Sequence, residues 1–173
     1  MRIEPEWRGP APPKAEVEIV AIRGCDVAPV DLSDPAEALR LKAYVWPDAT
    51  ERMGRIEAAV RFATERPPLL ERKDAGAFVE ERLGTLQRSG VTRVIYHSVM
   101  WQYLPEPTRR SITAAIEQAG KRATTERPLA WVRLGTNRAT FRHELTARYW
   151  PGGDAPALLS EAHPHGAWLE WHG

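Results

Sequence analysis

One cysteine, Cys25, stands in 173 residues. No intrachain disulfide can form, so a reducing compartment is the natural setting and a cytoplasmic location is expected. The opening residues "MRIEPEWRGPAPPKAE" lack the apolar core of a secretory signal. No apolar run approaches the roughly 20 residues of a membrane helix. Excess charge of either sign is also missing: the net charge is +1, with basic residues scattered among acids. That removes the electrostatic case for nucleic acid or an anionic membrane as partner. Neither glycine phosphate loop, G-x-x-x-x-G-K-[ST] or G-x-G-x-x-G, occurs, and the nucleophile elbow G-x-S-x-G is absent too. Lysine is scarce, four against twenty arginines, which with abundant Ala and Pro reads as GC-rich coding.

What is present is an ordinary globular composition, 43% hydrophobic and 27% charged, with a length suited to one core. Residues 1–15 read as an extended proline-rich arm and 16–173 as a single α/β domain. "VEIVAIRGCD" is apolar on both faces, the pattern of a strand covered on both sides. "SDPAEALRLKAYVW" carries helix-start chemistry: Asp34 as cap, Pro35 in the first turn and Glu37 closing a capping box. A second helix starts from Asp48, with Glu51 three residues on and Met53, Ile56 and Val60 on one face. "RPPLLERKDA" follows as a short strand. Asp74 then precedes a helix with Phe78, Val79, Leu83 and Leu86 on its core face, ended by Gly90.

"VTRVIYHSVMWQYLPEP" is the next strand. A helix bearing Ile112, Ala115, Ile116 and Ala119, closed by Gly120, leads to the strand "PLAWVRLGTN". This alternation predicts a mostly parallel sheet covered on both faces, a Rossmann-like three-layer sandwich. Beyond Asn137 the pattern changes to period two ("FRHELTARYW", "APALLSEAH", "AWLEW"), which predicts a C-terminal antiparallel meander from Phe141 onward.

In such sheets ligands bind beyond the carboxyl ends of the parallel strands. Asp26, Asp74 with Ala75, and His97 with Ser98 all fall at strand exits and are expected around one depression. The competing readings are a helix cap for Asp74 and a backbone-satisfied ring for His97. A Ser-His dyad is disfavoured, because neighbouring strand residues face opposite sides. A metal pair at His163 and His165, with His143 nearby, is geometrically open but flanked by turn residues, so no metal is expected. Trp131, Trp150, Trp168 and Trp171 read as packing in the meander.

Four motifs in order, "GCDVAPVDLSDP", "YVWPDATERMGRIEAA", "VIYHSVMWQYLP" and "AHPHGAWLEW", resemble the bacterial family called domain of unknown function 2332, from about Trp7 to Trp171. Members usually run longer, with an N-terminal helical part and a glycine-containing strand-to-helix segment. That segment is similar to the cofactor loop of class I S-adenosylmethionine-dependent methyltransferases. The resemblance implies that Asp26 meets the cofactor ribose and that Asp74 with Ala75 lies beside the adenine. It places His97 and Ser98 facing the methyl group and the substrate. This chain lacks the loop and the central strand before it, so full binding of S-adenosylmethionine is not expected of the chain alone.

Three readings follow. The first is a methyltransferase-like α/β domain, an enzyme only when another polypeptide supplies the missing loop. The second is a non-catalytic binding or assembly module with a vestigial crevice, and the third a small hydrolase using His97. A sheet without its central strand exposes unpaired backbone groups, so a homo-oligomer or a second polypeptide completing the sheet is expected as partner.

Overall fold

The computed structural model describes residues 4–153, 155–164 and 166–172. The chain is α/β and divides into two compact units, residues 17–75 and residues 4–16 with 76–172.

In the first unit, strands β2 (Gly24–Asp26) and β3 (Leu70–Arg72) pair in parallel, Gly24 opposite Leu70 and Asp26 opposite Arg72. Parallel neighbours need a long crossover. Here it consists of α1 (Pro35–Lys42) and α2 (Thr50–Glu65), which pack together. Asp34 caps α1 as its sequence predicts, its carboxylate accepting from the Ala36 amide at 2.8 Å. Glu37 does not close a capping box; it accepts instead from the Asp31 amide. Asp48 is not a cap either: α2 starts one residue later, from Ala49, with no side-chain cap. Met53, Ile56 and Val60 share a face as expected, but that face is only half-buried.

The long first strand is a correction. Only its last three residues are strand, while Val17, Ile19, Val20 and Ile22 are each more than half exposed and outside any regular element. A strand apolar on both faces requires neighbours on both edges and layers above and below. β2 has one strand neighbour, so pairing stops where β3 stops.

The second unit is a six-stranded mixed sheet in the order β1-β8-β7-β6-β5-β4. β4 (Arg93–Ser98) and β5 (Leu129–Thr136) run parallel, joined by α4 (Glu106–Lys121). β5, β6 (His143–Trp150), β7 (Ala157–Ala162) and β8 (Trp168–Trp171) form the expected antiparallel meander. Two expectations change. The predicted arm contributes β1 (Glu6–Arg8), parallel to β8, and β2 with β3 do not join this sheet but form their own.

The core lies between one face of the sheet and α4. Ile112, Ile116 and Gly120 recur at i, i+4, i+8 and are buried, as are Leu129, Trp131 and Trp150. Gly120 is not the helix stop: the helix runs on to Lys121, and the missing side chain lets Trp150 lie against the backbone. α3 (Ala75–Gly84) also ends earlier than Gly90. The Thr85 hydroxyl donates to the Arg82 carbonyl there, and Leu86 beyond it is 91% exposed. Gln87 then ties the chain down, donating to the Val91 and Pro128 carbonyls at 2.7 Å each.

β4 is the last strand of its sheet, and no strand pairs along its outer edge among the described residues. Its burial alternates, Ile95 and His97 inward, Val94, Tyr96 and Ser98 exposed. An apolar composition had promised a strand buried on both faces. Coverage on one side only is what separates the two outcomes.

Candidate functional site

A pocket of about 230 Å³ opens beyond the carboxyl ends of β4 and β5, on the α4 side of the sheet. Register explains its lining. His97 is paired with Arg133, and Arg133 with Thr146, so these three side chains stand on one face. Gly135 and Glu144 continue that face, and the loop after β5 adds Asn137 and Arg138. From the other side come Val99, Trp101 and Arg109, the last from the first turn of α4.

His97 is the most perturbed group in the pocket. Its ring stacks on Trp101 at 4.9 Å and 11°, and Trp131 lies 6.2 Å away at a tilt. Both ring nitrogens are buried without a hydrogen-bond partner. Burial first, and the Arg133 charge second, lower its pKa from 6.5 to about 4. The ring is therefore neutral at neutral pH, with a basic nitrogen sealed under an indole. The alternative in which backbone groups satisfy His97 is ruled out by these orphaned atoms.

Arg133 is the second unusual group. Its guanidinium lies 4.6 Å over the Trp131 ring and its Nε donates to Thr146 Oγ1 at 3.3 Å. No carboxylate pairs with it among the described residues. Of the other pocket charges, Arg109 is answered by Glu106 at 2.7 Å and the Glu144 carboxylate by the Asn137 amide at 2.8 Å, while Arg138 is exposed to solvent. Burial pushes the Arg133 guanidinium down from its ordinary value, with Arg148 adding to the effect. Even so, a guanidinium stays charged at neutral pH.

Backbone strain concentrates at the same place. Val99, a pocket residue directly after β4, has φ +57°. A β-branched residue there costs on the order of 1–3 kcal/mol. The Val99 amide nonetheless donates to the Leu134 carbonyl at 2.8 Å, and the turn that follows delivers Trp101 onto His97.

Of the expected site residues, His97 lines this pocket and Ser98 does not: it faces the opposite, exposed side of β4. Asp26, Asp74 and Ala75 belong to the first unit, at the ends of β2 and β3. Asp26 is exposed, and its Oδ1 accepts from the Ala28 amide at 2.8 Å. Arg133, Thr146, Glu144 and Trp101 went unrecognised as site residues in the sequence. Parity from His97 along paired strands is the signal that finds them, once the register is known.

No group of three or more His, Cys, Asp or Glu able to hold a metal occurs among the described residues. His165 lies outside them, and His163 follows β7 with its ring 6.3 Å from Trp168. No described helix is long and apolar enough to cross a membrane.

Comparison with curated proteins and with solved structures gives no match. The profile of one family, described as an uncharacterized protein conserved in bacteria, matches residues 1–171. The chain belongs to that bacterial family, domain of unknown function 2332.

Proposed function

We propose that this chain is part of a Rossmann-like, methyltransferase-like α/β domain, and that the His97 pocket is its substrate side. The carrying observation is the pocket's position, beyond the carboxyl ends of two parallel strands joined by a helix. Open α/β sheets use that position for ligands. In this reading Asp26 holds a ribose diol and Asp74 with Ala75 borders the adenine of S-adenosylmethionine. An exposed Asp26 carboxylate, with one oxygen engaged by Ala28, suits accepting a hydroxyl. The cofactor supplies an electrophilic methyl group when bound. His97 and the Trp101 cover would order the substrate and exclude water; Ser98 would act only from the opposite face.

In this reading a further strand along β4 completes the site, since none pairs there among the described residues. We place that strand in a second polypeptide, a further copy of this chain being the simplest source. The place of β4 at the end of the sheet order, with no strand along its outer edge among the described residues, supports association there. A cytoplasmic enzyme fits the single free Cys25.

A second reading, a non-catalytic binding module, is favoured by one observation: Trp101 and its neighbours seal both His97 nitrogens. The hydrolase reading would rest on His97 alone, since Ser98 faces the opposite side. Titration with S-adenosylhomocysteine, followed on backbone amide NMR signals, separates the first two. The methyltransferase reading expects weak binding at millimolar ligand, with shifts at Asp26, Asp74 and Ala75. An unchanged spectrum at those residues removes the cofactor role and leaves the binding module.

A further inference from the structure

We infer that the pocket takes a small molecule bearing a single carboxylate, held by Arg133, with its apolar body against Trp101 and Val99. The inference rests on the pocket being a ligand site and is independent of S-adenosylmethionine.

Arg133 is a part-buried charge with no acid paired to it among the described residues. Arg133 stands on the pocket-facing side of β5, its ring contact on one face and Thr146 on its Nε. Its two terminal nitrogens donate to no described side chain or backbone carbonyl. Holding a guanidinium partly out of water without an acid is costly, and the remedy is a planar oxyanion accepting two parallel N–H bonds. The arginine is also stiffened by its stack on Trp131 and by Thr146, so little entropy is lost when an anion arrives.

Its neighbours select the kind of anion. Arg109 and Arg138 stand at the pocket, which makes its field positive, yet Arg109 is held by Glu106. Glu144 is the one acidic lining residue, fixed by Asn137. A carboxylate monoanion satisfies Arg133, the one part-buried guanidinium of the lining without an acid, Arg138 being exposed to solvent. A phosphate dianion brings a second charge that meets Glu144 and finds neither a glycine-loop nest nor another unpaired buried cation. The rest of the lining sets Val99, Trp101 and Gly135 beside the polar His97, Gln102, Thr136 and Thr146. A volume of about 230 Å³ falls below the roughly 300–1,000 Å³ of drug-sized sites, so the ligand is the size of a small metabolite.

The test uses three probes on the whole chain: benzoate, its neutral isostere benzamide, and inorganic phosphate. Binding is followed by calorimetry and by amide shifts at His97, Arg133 and Asn137. Benzoate is expected to bind at least about tenfold more tightly than benzamide, since one good charged contact accounts for about 1.4 kcal/mol. Phosphate is expected to bind more weakly than benzoate. Arg133→Gln should erase the benzoate preference, whereas Arg110→Gln, exposed and outside the pocket, should keep it. Equal binding of benzoate and benzamide, or an unchanged preference in Arg133→Gln, overturns the proposal. Tighter binding of phosphate overturns the choice of a monoanion. Should Arg133→Gln fail to fold, the ratio of the two isosteres on the unaltered chain decides alone. S-adenosylhomocysteine shifts at Asp26 and Asp74 report on the cofactor reading separately, so either proposal can fail without the other.

Discussion

Gly120→Ala should destabilise the second unit by about 2 kcal/mol, although the same change in an open helix is favourable. Helix propensity alone favours Ala over Gly by up to about 1 kcal/mol. Here an added Cβ would meet the Trp150 indole at 2.5 Å, closer than carbon atoms approach in proteins. Trp150 is 7% exposed and under the guanidinium of Arg148, 4.5 Å from the ring, while Arg148 is itself paired with Glu117 of α4. The indole cannot move without disturbing that layer. Overpacking of this kind costs about 1–3 kcal/mol, and the propensity gain offsets only part of a clash this close. Gly54, inside α2, is the control: nothing lies within 4 Å of the place an added methyl would occupy. Gly54→Ala should therefore stabilise, by up to about 1 kcal/mol. Urea unfolding of both variants checks the pair, and two changes of the same sign would contradict the packing.

His97 should make the fold weaken with acid in a defined window. Its folded pKa of about 4 lies below the ordinary 6.5. Between those values the unfolded chain binds a proton that the folded chain does not, so stability falls as pH drops from about 6.5 to about 4. Above the window the group contributes no slope, and below it both states are protonated. The full shift corresponds to about 3.4 kcal/mol, reduced to about 2 kcal/mol because the ring is partly solvated. The charges lining its pocket are Arg133 from β5, Arg138 just after β5, Arg109 from α4 and Glu144 from β6. His97→Phe keeps a flat ring against Trp101 and removes both unsatisfied nitrogens, so it should be neutral or stabilising at pH 7. The difference in stability between His97→Phe and the unaltered chain should widen by about 2 kcal/mol in the variant's favour on going to pH 4. Parallel curves would mean that His97 is not buried neutral.

These two residues also show how far the sequence can be read. The α4 face was legible because its repeat is local: Ile112, Ile116 and Gly120 follow the helical period without reference to anything else. Gly120 was nevertheless misread as a stop, since its purpose depends on Trp150, thirty residues later and on a strand of the sheet. The meander after Asn137 was legible for the same reason as α4, because period two is also local. The Val17–Ile22 stretch was not, since whether an apolar run is a strand depends on partners that composition does not name. At the site, His97 stood out as a polar residue closing an apolar strand. Arg133, its partner across the ladder, looked like any of twenty arginines. What singles it out is the missing acid, which only the paired strands reveal.

In the proposed site β4 presents an open edge that a further strand completes. The Arg93 and Val99 amides donate to the Pro128 and Leu134 carbonyls of the β5 side. By strand alternation the amides of Ile95 and His97 also point inward, and those of Val94, Tyr96 and Ser98 point out. Hydrogen exchange at these amides, measured across a range of protein concentrations, is the most direct test. Ile95 and His97 should be protected throughout. Val94, Tyr96 and Ser98 should exchange fast in dilute protein and slow as concentration rises and a second copy pairs along the edge. Protection of all five amides at the lowest concentration would show the edge already covered within one chain, and fast exchange of the outer three at every concentration would exclude a second copy as the source of the strand.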